Sequence, residues 1–165
     1  LNKKGKILDI ACGTGKVTEI LSNKLNMNEV YGCDVSDFLI EKAAKRGIPK
    51  DKLKVTDAIN LSYDDNYFDY CYSIGSLEHF TEDGIDKFLR SSKRVTKFTG
   101  FHMVPVSKSN KDEGWVTDDY QSYFNNSEEW WRSKCEKVFD KVLILDSTWE
   151  SSESNQTGKW LILSK

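Results

Sequence analysis

Membrane-spanning stretches are absent from this 165-residue sequence, which also contains only two prolines. No apolar run approaches the roughly 18–20 consecutive residues that a membrane-spanning helix requires. The basic start LNKKGK precedes an apolar run that breaks at a glycine turn, which is not the pattern of a signal peptide. We therefore expect a cytoplasmic protein that has no membrane partner.

The sequence also has little excess of charge of either sign. It contains 24 lysines and arginines against 26 aspartates and glutamates, which gives a net charge of −2. Domains that bind nucleic acid usually show a clustered basic face, whereas the basic residues here are scattered among acids. The charge pattern therefore predicts no nucleic-acid partner.

Cysteine and histidine are scarce, and they are not spaced as metal ligands. The four cysteines form no C-x-x-C pair, and neither of the two histidines is paired with a cysteine at a ligand spacing. Three of the cysteines sit in apolar, strand-like runs. The pattern predicts reduced, buried thiols and no zinc site.

Short apolar runs alternate with helical patterns along the chain, which is typical of an α/β fold. Strands are predicted at 6–11, 29–35, 53–58, 67–75 and 99–107, and a closing antiparallel hairpin at 141–149 and 159–165. The first helix is predicted from the spacing of Val17, Ile20, Leu21 and Leu25, and the later ones begin at Ser36, Thr81 and Ser127. The sequence does not fix where the fifth strand ends, because Pro105 has no N–H to donate to a ladder.

These elements predict a Rossmann-like, doubly wound, mostly parallel seven-stranded sheet with an antiparallel C-terminal hairpin, all within one domain over residues 1–165. In such sheets ligands bind at the carboxyl ends of the strands. Residues 108–126 form the longest predicted loop, and long loops of compact domains are often functional.

The glycine turn after the first strand, in ILDIACGTGKVTEIL, departs from two phosphate-binding patterns. A P-loop would place glycine at Ile10 and a hydroxyl at Val17, and both positions fail. A dinucleotide fingerprint would place a small residue at Thr18, where a branched side chain hinders close packing of helix and strand. Neither a triphosphate nor a dinucleotide is favoured.

Three carboxylates end successive strands, which is unusual for purely structural acids. Asp9 is better suited to an amino-acid ammonium group than to phosphates. Asp34 follows Gly13 by 21 residues, where a carboxylate can accept both hydroxyls of a ribose. Asp57 can accept a hydrogen bond from an exocyclic amine such as that of adenine.

Three segments together resemble a known family: ILDIACGTG, YGCDVS and DAINLSYDDNYFDYCYSIGSLEHF. Within the third, the resemblance is carried by Asp57-Ala58, Phe68-Asp69 and Leu77-Glu78-His79. The pattern is similar to class I S-adenosylmethionine-dependent methyltransferases, above all the small-molecule type of ubiquinone and menaquinone biosynthesis. The resemblance covers essentially the whole chain from Lys6, and it implies methyl transfer from S-adenosylmethionine to a small-molecule acceptor.

The resemblance also implies which residues hold the cofactor. They are the residues around the methionine part (Asp9, Ala11, Gly13, Thr14, Gly15), the ribose and adenine (Asp34, Val35, Asp57, Ala58) and the sulfonium end (Ser73, Ile74). Family members often carry glycine where this sequence has Ala11.

Some methyl acceptors need a general base, and histidine is the commonest one. His79 and His102 are the two candidates. Relatives that bind a metal here carry glutamate where this sequence has Gly75, so no metal is predicted. The aromatic residues of the long loop either cover the sheet edge or form a wall of the acceptor site; they are Trp115, Tyr120, Tyr123 and Phe124.

Alternatives remain at this point. Nucleic-acid amino-methyltransferases would show Asn/Asp-Pro-Pro-Tyr/Phe after the fourth strand, where this sequence has Ser-Ile-Gly-Ser. A non-catalytic cofactor-binding subunit would keep the Asp34 pocket, and a nicotinamide-dependent oxidoreductase is disfavoured by Thr18. The acceptor atom and the oligomeric state are left open.

Overall fold

The computed structural model of the chain describes residues 5–24 and 29–165. Leu25, which the helical spacing includes, lies outside the described residues. Within those residues, no helix combines the length and the apolarity that crossing a bilayer takes.

Seven strands form one sheet in the order β3-β2-β1-β4-β5-β9-β8, and a separate ribbon pairs β6 with β7. The strands are β1 (Lys6–Ile10), β2 (Glu29–Asp34), β3 (Leu53–Val55), β4 (Phe68–Ile74), β5 (Thr96–Ser107), β6 (Trp115–Thr117), β7 (Ser122–Phe124), β8 (Lys141–Ser151) and β9 (Gln156–Ser164). The first five run parallel, while β9 is antiparallel to both of its neighbours. The predicted doubly wound sheet with its reversed hairpin is confirmed.

In the described ranges 5–24 and 29–165, four α-helices connect or cover these strands: α1 (Lys16–Lys24), α2 (Asp37–Lys45), α3 (Glu82–Val95) and α4 (Glu128–Glu136). The last three begin at the predicted caps, because Ser36, Thr81 and Ser127 each accept a backbone N–H from the first turn. Such a cap satisfies one of the four N–H groups that a helix start leaves without a partner.

The main core lies between the sheet and the helices α3 and α4. Leu8, Phe88, Leu161 and Trp131 are fully buried there. A smaller cluster on the other face packs Ile7 and its neighbours against α1. Because both faces are apolar near β1 and β4, these central strands read as near-continuous apolar runs.

Two features of the C-terminal half differ from the simplest prediction. The loop 108–126 contains the short ribbon β6–β7, whose three-residue strands are too short to show a period in the sequence. Pro105 lies inside β5, where it pairs with Gly158 of β9 but is beyond the last pair with β4 at Met103. β5 is therefore an edge toward β4 at this point, and proline is tolerated at an edge.

Candidate active site

The turn after β1 brings three residues with positive φ close together in sequence: Ala11 at 57°, Gly13 at 55° and Gly15 at 73°. Glycine adopts this conformation at little cost, while alanine is strained. At Gly15 an added Cβ would lie 2.6 Å from Cδ1 of Ile48, so packing also demands glycine there. At Gly13 no atom lies within 4 Å of the same position, which leaves its conformation as the reason for glycine.

Asp34 ties this turn to the end of β2. Its Oδ2 accepts the backbone N–H of Gly13 and its Oδ1 accepts that of Ser36, both over 2.9 Å. The residue is 8% exposed. Each carboxylate oxygen offers two lone pairs, so Asp34 can accept further hydrogen bonds from ribose hydroxyls while it holds the turn.

Asp9 is more deeply buried than Asp34, and its carboxyl group accepts hydrogen bonds from other side chains of the protein. Its Oδ2 accepts hydroxyl donors from Thr18 over 2.6 Å and from Tyr72 over 2.7 Å. Burial raises the pKa of Asp9 to about 6, although the two hydroxyl donors oppose that rise. Thr18, which replaces the small residue of a dinucleotide fingerprint, is fully buried and serves as a partner of this carboxyl group.

A first cavity of about 410 Å³ opens at the carboxyl ends of β1 to β4. Five of the residues predicted to hold the cofactor line it: Ala11, Asp34, Val35, Asp57 and Ala58. The other lining residues are Thr56, Gly75, Ser76, His79 and Phe80. Carboxylate acceptors beside apolar side chains suit a nucleoside, since ribose hydroxyls and an exocyclic amine donate hydrogen bonds while the ring packs against carbon. The residues present therefore fit an adenosine-containing cofactor.

The remaining predicted cofactor residues are distributed differently. Gly13, Thr14 and Gly15 form the turn itself, next to the cavity lining at Ala11. Ser73 is fully buried with its hydroxyl 2.8 Å from Nδ1 of His102. Ile74 lines a separate apolar cavity. The residues of this strand end that line the first cavity are Gly75 and Ser76 instead.

His102 lies inside β5. It lines neither the first cavity nor a second, neighbouring cavity, whereas His79 lines both. The ring is fully buried and packs edge-on against Phe88. Burial lowers the pKa of His102 to about 4, so the ring is neutral at pH 7. The structure makes this histidine a partner of Ser73 in the core.

His79 ends the short 3₁₀ turn Leu77–His79 that follows β4. Its Nδ1 lies 2.8 Å from the backbone carbonyl oxygen of Ser122 on β7. A carbonyl oxygen only accepts, so Nδ1 carries the proton in the neutral ring and Nε2 keeps its lone pair. Nε2 is 3.8 Å from Oε1 of Glu78.

A second cavity of about 550 Å³ lies on the other side of His79. The aromatic residues that line it are Tyr120, Tyr123 and Trp149. Trp115, Phe124, Trp130 and Trp131 instead pack in a chain of ring contacts. Of the loop aromatics, Tyr120 and Tyr123 therefore line a cavity, whereas Trp115 and Phe124 pack against other rings. Gly75 and His79 line both cavities, so the cavities meet at these two residues.

Glu78 is a residue of this site to which the sequence assigned no role. It lines the second cavity and is only 5% exposed. Its Oε2 is buried and has no hydrogen-bond partner among the described residues. Burial raises the pKa of Glu78 to about 7. In the sequence, the signal for this residue was the position of an acid between Leu77 and His79 in the segment SLEHF.

Comparison with known proteins places the chain in a family. Residues 7–100 match the family described as a methyltransferase domain. A Thermotoga maritima demethylmenaquinone methyltransferase is 35% identical over 95 residues, which is 58% of this chain and 40% of the relative. A Methanosarcina mazei S-adenosylmethionine-dependent methyltransferase of known structure superposes with a TM-score of 0.81 at 18% identity, covering 100% of this chain and 94% of that one.

Another relative overturns the expectation of no nucleic-acid partner. A human protein whose printed name is "Probable tRNA methyltransferase 9B" is 29% identical over 157 residues, which is 93% of this chain but 29% of that protein. The prediction from charge was wrong because it inferred a substrate class from the net charge of one chain. The chain spans less than half of the length of either curated relative, so its net charge need not represent a whole protein.

The family match disfavours a nicotinamide-dependent oxidoreductase, and the resemblance found in the sequence is confirmed. The nucleoside-compatible cavity, the sheet order and the relatives agree with one another. The chain therefore belongs to the methyltransferase-domain family.

Proposed function

We propose that this enzyme methylates an acceptor bound in the second cavity, and that the acceptor is a nucleoside of tRNA. The observation that carries the proposal is the wall shared by the two cavities, which consists of Gly75 and His79. A cofactor in the first cavity and an acceptor in the second would approach each other at this wall. The human relative named as a tRNA methyltransferase supports the acceptor class.

The residues of the first cavity then have separate tasks. Asp34 would accept the ribose hydroxyls, Asp57 would accept the adenine amine, and Val35 and Ala58, which line the same cavity, would pack against the ring. The turn from Ala11 to Gly15 adjoins the methionine part. The bound cofactor supplies a methyl group that its sulfonium charge has already activated, so the main contribution of the protein is positioning.

His79 is the proposed proton acceptor. Its Nδ1 is held by the Ser122 carbonyl, which leaves Nε2 as the basic atom. An oxygen or nitrogen acceptor that carries a proton can pass it to Nε2 as the new bond forms. His102 takes no part in this proposal because its ring is fully buried.

A small ring-bearing compound is the second candidate acceptor. Asp118 and Glu153 line the second cavity, and their charge disfavours a phosphodiester backbone there. Tyr123 and Trp149 offer flat surfaces that suit a planar ring of either source. The Thermotoga relative, named as a demethylmenaquinone methyltransferase, supports this candidate.

One assay separates the two candidates. The enzyme is incubated with S-adenosylmethionine that carries an isotope-labelled methyl group, together with bulk tRNA or a quinone-precursor and metabolite library, and products are resolved by mass spectrometry. Label in a nucleoside of digested tRNA supports the first candidate, and label in a small compound supports the second. A cofactor-binding enzyme that labels nothing in either mixture contradicts both.

We also propose that residues 1–165 act as one methyltransferase domain and that the domain works in the cytoplasm. Free thiols support the location, since the cysteines of the described residues form no disulfide and three of them are buried. Dithiothreitol should leave the melting temperature unchanged, whereas a fall would indicate a disulfide and contradict the location.

A further inference from the structure

The buried carboxyl group of Glu78 is energetically costly where it lies. Its Oε2 is sealed from solvent and has no partner within the described part of the chain. An unsatisfied buried polar group destabilises a fold, and a charged one does so more strongly. An apolar side chain of similar size would fill the same space without that cost, so packing alone gives no reason for a carboxyl group here.

The other oxygen of Glu78 is directed toward the shared wall. Oε1 lies 3.8 Å from Nε2 of His79, and it would lie 3.6 Å from a Cβ added at Gly75. The Ser122 carbonyl holds the opposite nitrogen of the ring. The imidazole thus lies between a carbonyl and a carboxyl group, and both His79 and Glu78 line the second cavity.

We propose that Glu78 is the positioning residue of His79, whose imidazolium form it stabilises when Nε2 accepts a proton from the methyl acceptor. This inference rests on the proposed function and adds the group that makes the histidine an effective base. In the proton step, the acceptor's O–H or N–H bond breaks and its electron pair stays on the acceptor atom. Nε2 gains the proton and a positive charge, which the Glu78 carboxylate balances, and the partly exposed ring then returns the proton to solvent.

Other titratable groups face the same space and must be considered together with this pair. Asp118 and Glu153 line the second cavity, as do the phenols of Tyr120 and Tyr123. The Tyr123 ring lies 6.4 Å from the His79 ring, and burial raises the pKa of its phenol. Neutral phenols add no charge, so among the carboxylates of this cavity Glu78 is the one in an ion-pair contact with the imidazole.

The test uses the fact that the protein contains only two histidines. Imidazole ¹⁵N signals of the purified chain are followed by NMR against pH for the wild type, Glu78→Gln and Glu82→Gln. Glu82 provides the matched control because it is the same residue type four positions away and its side chain pairs with Lys134 on the surface. We expect Glu78→Gln to change how the His79 signals depend on pH and the control to reproduce the wild-type curve. An unchanged His79 titration in Glu78→Gln overturns the proposal.

Kinetics give a second readout once an acceptor is known. Glu78→Gln should lower kcat by about 10- to 100-fold, with the KM for S-adenosylmethionine within about threefold of wild type and the acid limb of the pH profile displaced. Equal losses in kcat and cofactor affinity would instead indicate a structural role and overturn the proposal.

If Glu78→Gln does not fold, the pairing of Glu78 with His79 is tested in the wild-type protein instead. Coupled groups share their titration steps, so the ¹³C signal of the Glu78 carboxyl group and the ¹⁵N signals of His79 should move at common midpoints. Independent midpoints contradict the pairing. A wild-type enzyme that labels no acceptor defeats the proposed function, but the NMR result on Glu78 and His79 stands separately.

Discussion

Gly13 donates its backbone N–H to Oδ2 of Asp34 across 2.9 Å, and this bond joins residues 21 positions apart. The turn after β1 and the end of β2 are therefore one hydrogen-bonded unit. The same carboxylate lines the first cavity. A residue that lines the first cavity thus also stabilises the turn that borders it.

Asp34→Ala should weaken S-adenosylmethionine binding by roughly 10- to 100-fold, because hydrogen bonds to a charged group contribute about 1.5–3 kcal/mol. Calorimetric titration measures the affinity. Glu41→Ala, an exposed position on α2, is the control and should bind as the wild type does. An unchanged affinity in Asp34→Ala would show that the ribose contact has been misplaced.

The hydroxyl of Thr18 stabilises the ionised form of Asp9. The pKa of Asp9 is raised from 3.8 to about 6 in the folded protein. The stability linked to this group is therefore fully present below pH 3.8 and is lost as the pH rises through 6. Thr18→Val removes a donor and raises that pKa further.

We therefore expect Thr18→Val to lower the free energy of unfolding by about 1–2 kcal/mol at pH 7.5, and by less at pH 5. Urea denaturation at both pH values measures the difference. A loss that is equal at the two pH values would contradict the role of the hydroxyl as a partner of the carboxylate.

Glu78→Met should stabilise the fold while it impairs catalysis. The pKa of Glu78 is raised from 4.5 to about 7, so the stability linked to this group is present below pH 4.5 and is lost as pH rises through 7. Relative to wild type, the variant should gain on the order of 2 kcal/mol by pH 8 and little at pH 4.5. Thermal or urea melts across this range provide the test, and a variant that is less stable at pH 8 would show that the carboxyl group has a partner.

His79→Gln should reduce kcat by about 100-fold or more, because the proposed role of the ring is to accept the proton. Glutamine keeps a donor that can reach the Ser122 carbonyl, so the local backbone contact is retained. Cofactor affinity is measured in parallel and should change by less than about threefold. Turnover within a few-fold of wild type would remove His79 as the base.

The elements that the sequence predicted well are those with local causes. Ser36, Thr81 and Ser127 cap helices because each accepts an N–H within three residues, a relationship that spacing alone reveals. The positions of Asp34 and Asp57 followed from strand ends in the same way. The additional hydrogen bond from Gly13 to Asp34 was not predictable, since it depends on how β1 and β2 are aligned.

The less predictable features depend on contacts between distant segments. At the end of β4 the resemblance pointed to Ser73 and Ile74, whereas the first cavity is lined by Gly75 and Ser76, because Ser73 is buried beside His102 and Ile74 lines a separate apolar cavity. The burial of Glu78 has a similar origin: the turn Leu77–His79 packs against β5 and β7, and β7 belongs to a ribbon that shows no period in the sequence.

The claim that the two cavities meet at His79 is tested most directly by adding S-adenosylhomocysteine to the ¹⁵N-histidine-labelled protein and recording both imidazoles. His79 lines the first cavity while His102 is fully buried in the core. The signals of His79 should shift and those of His102 should not. A shift of His102 alone, or no shift of His79 at saturation, would contradict that claim.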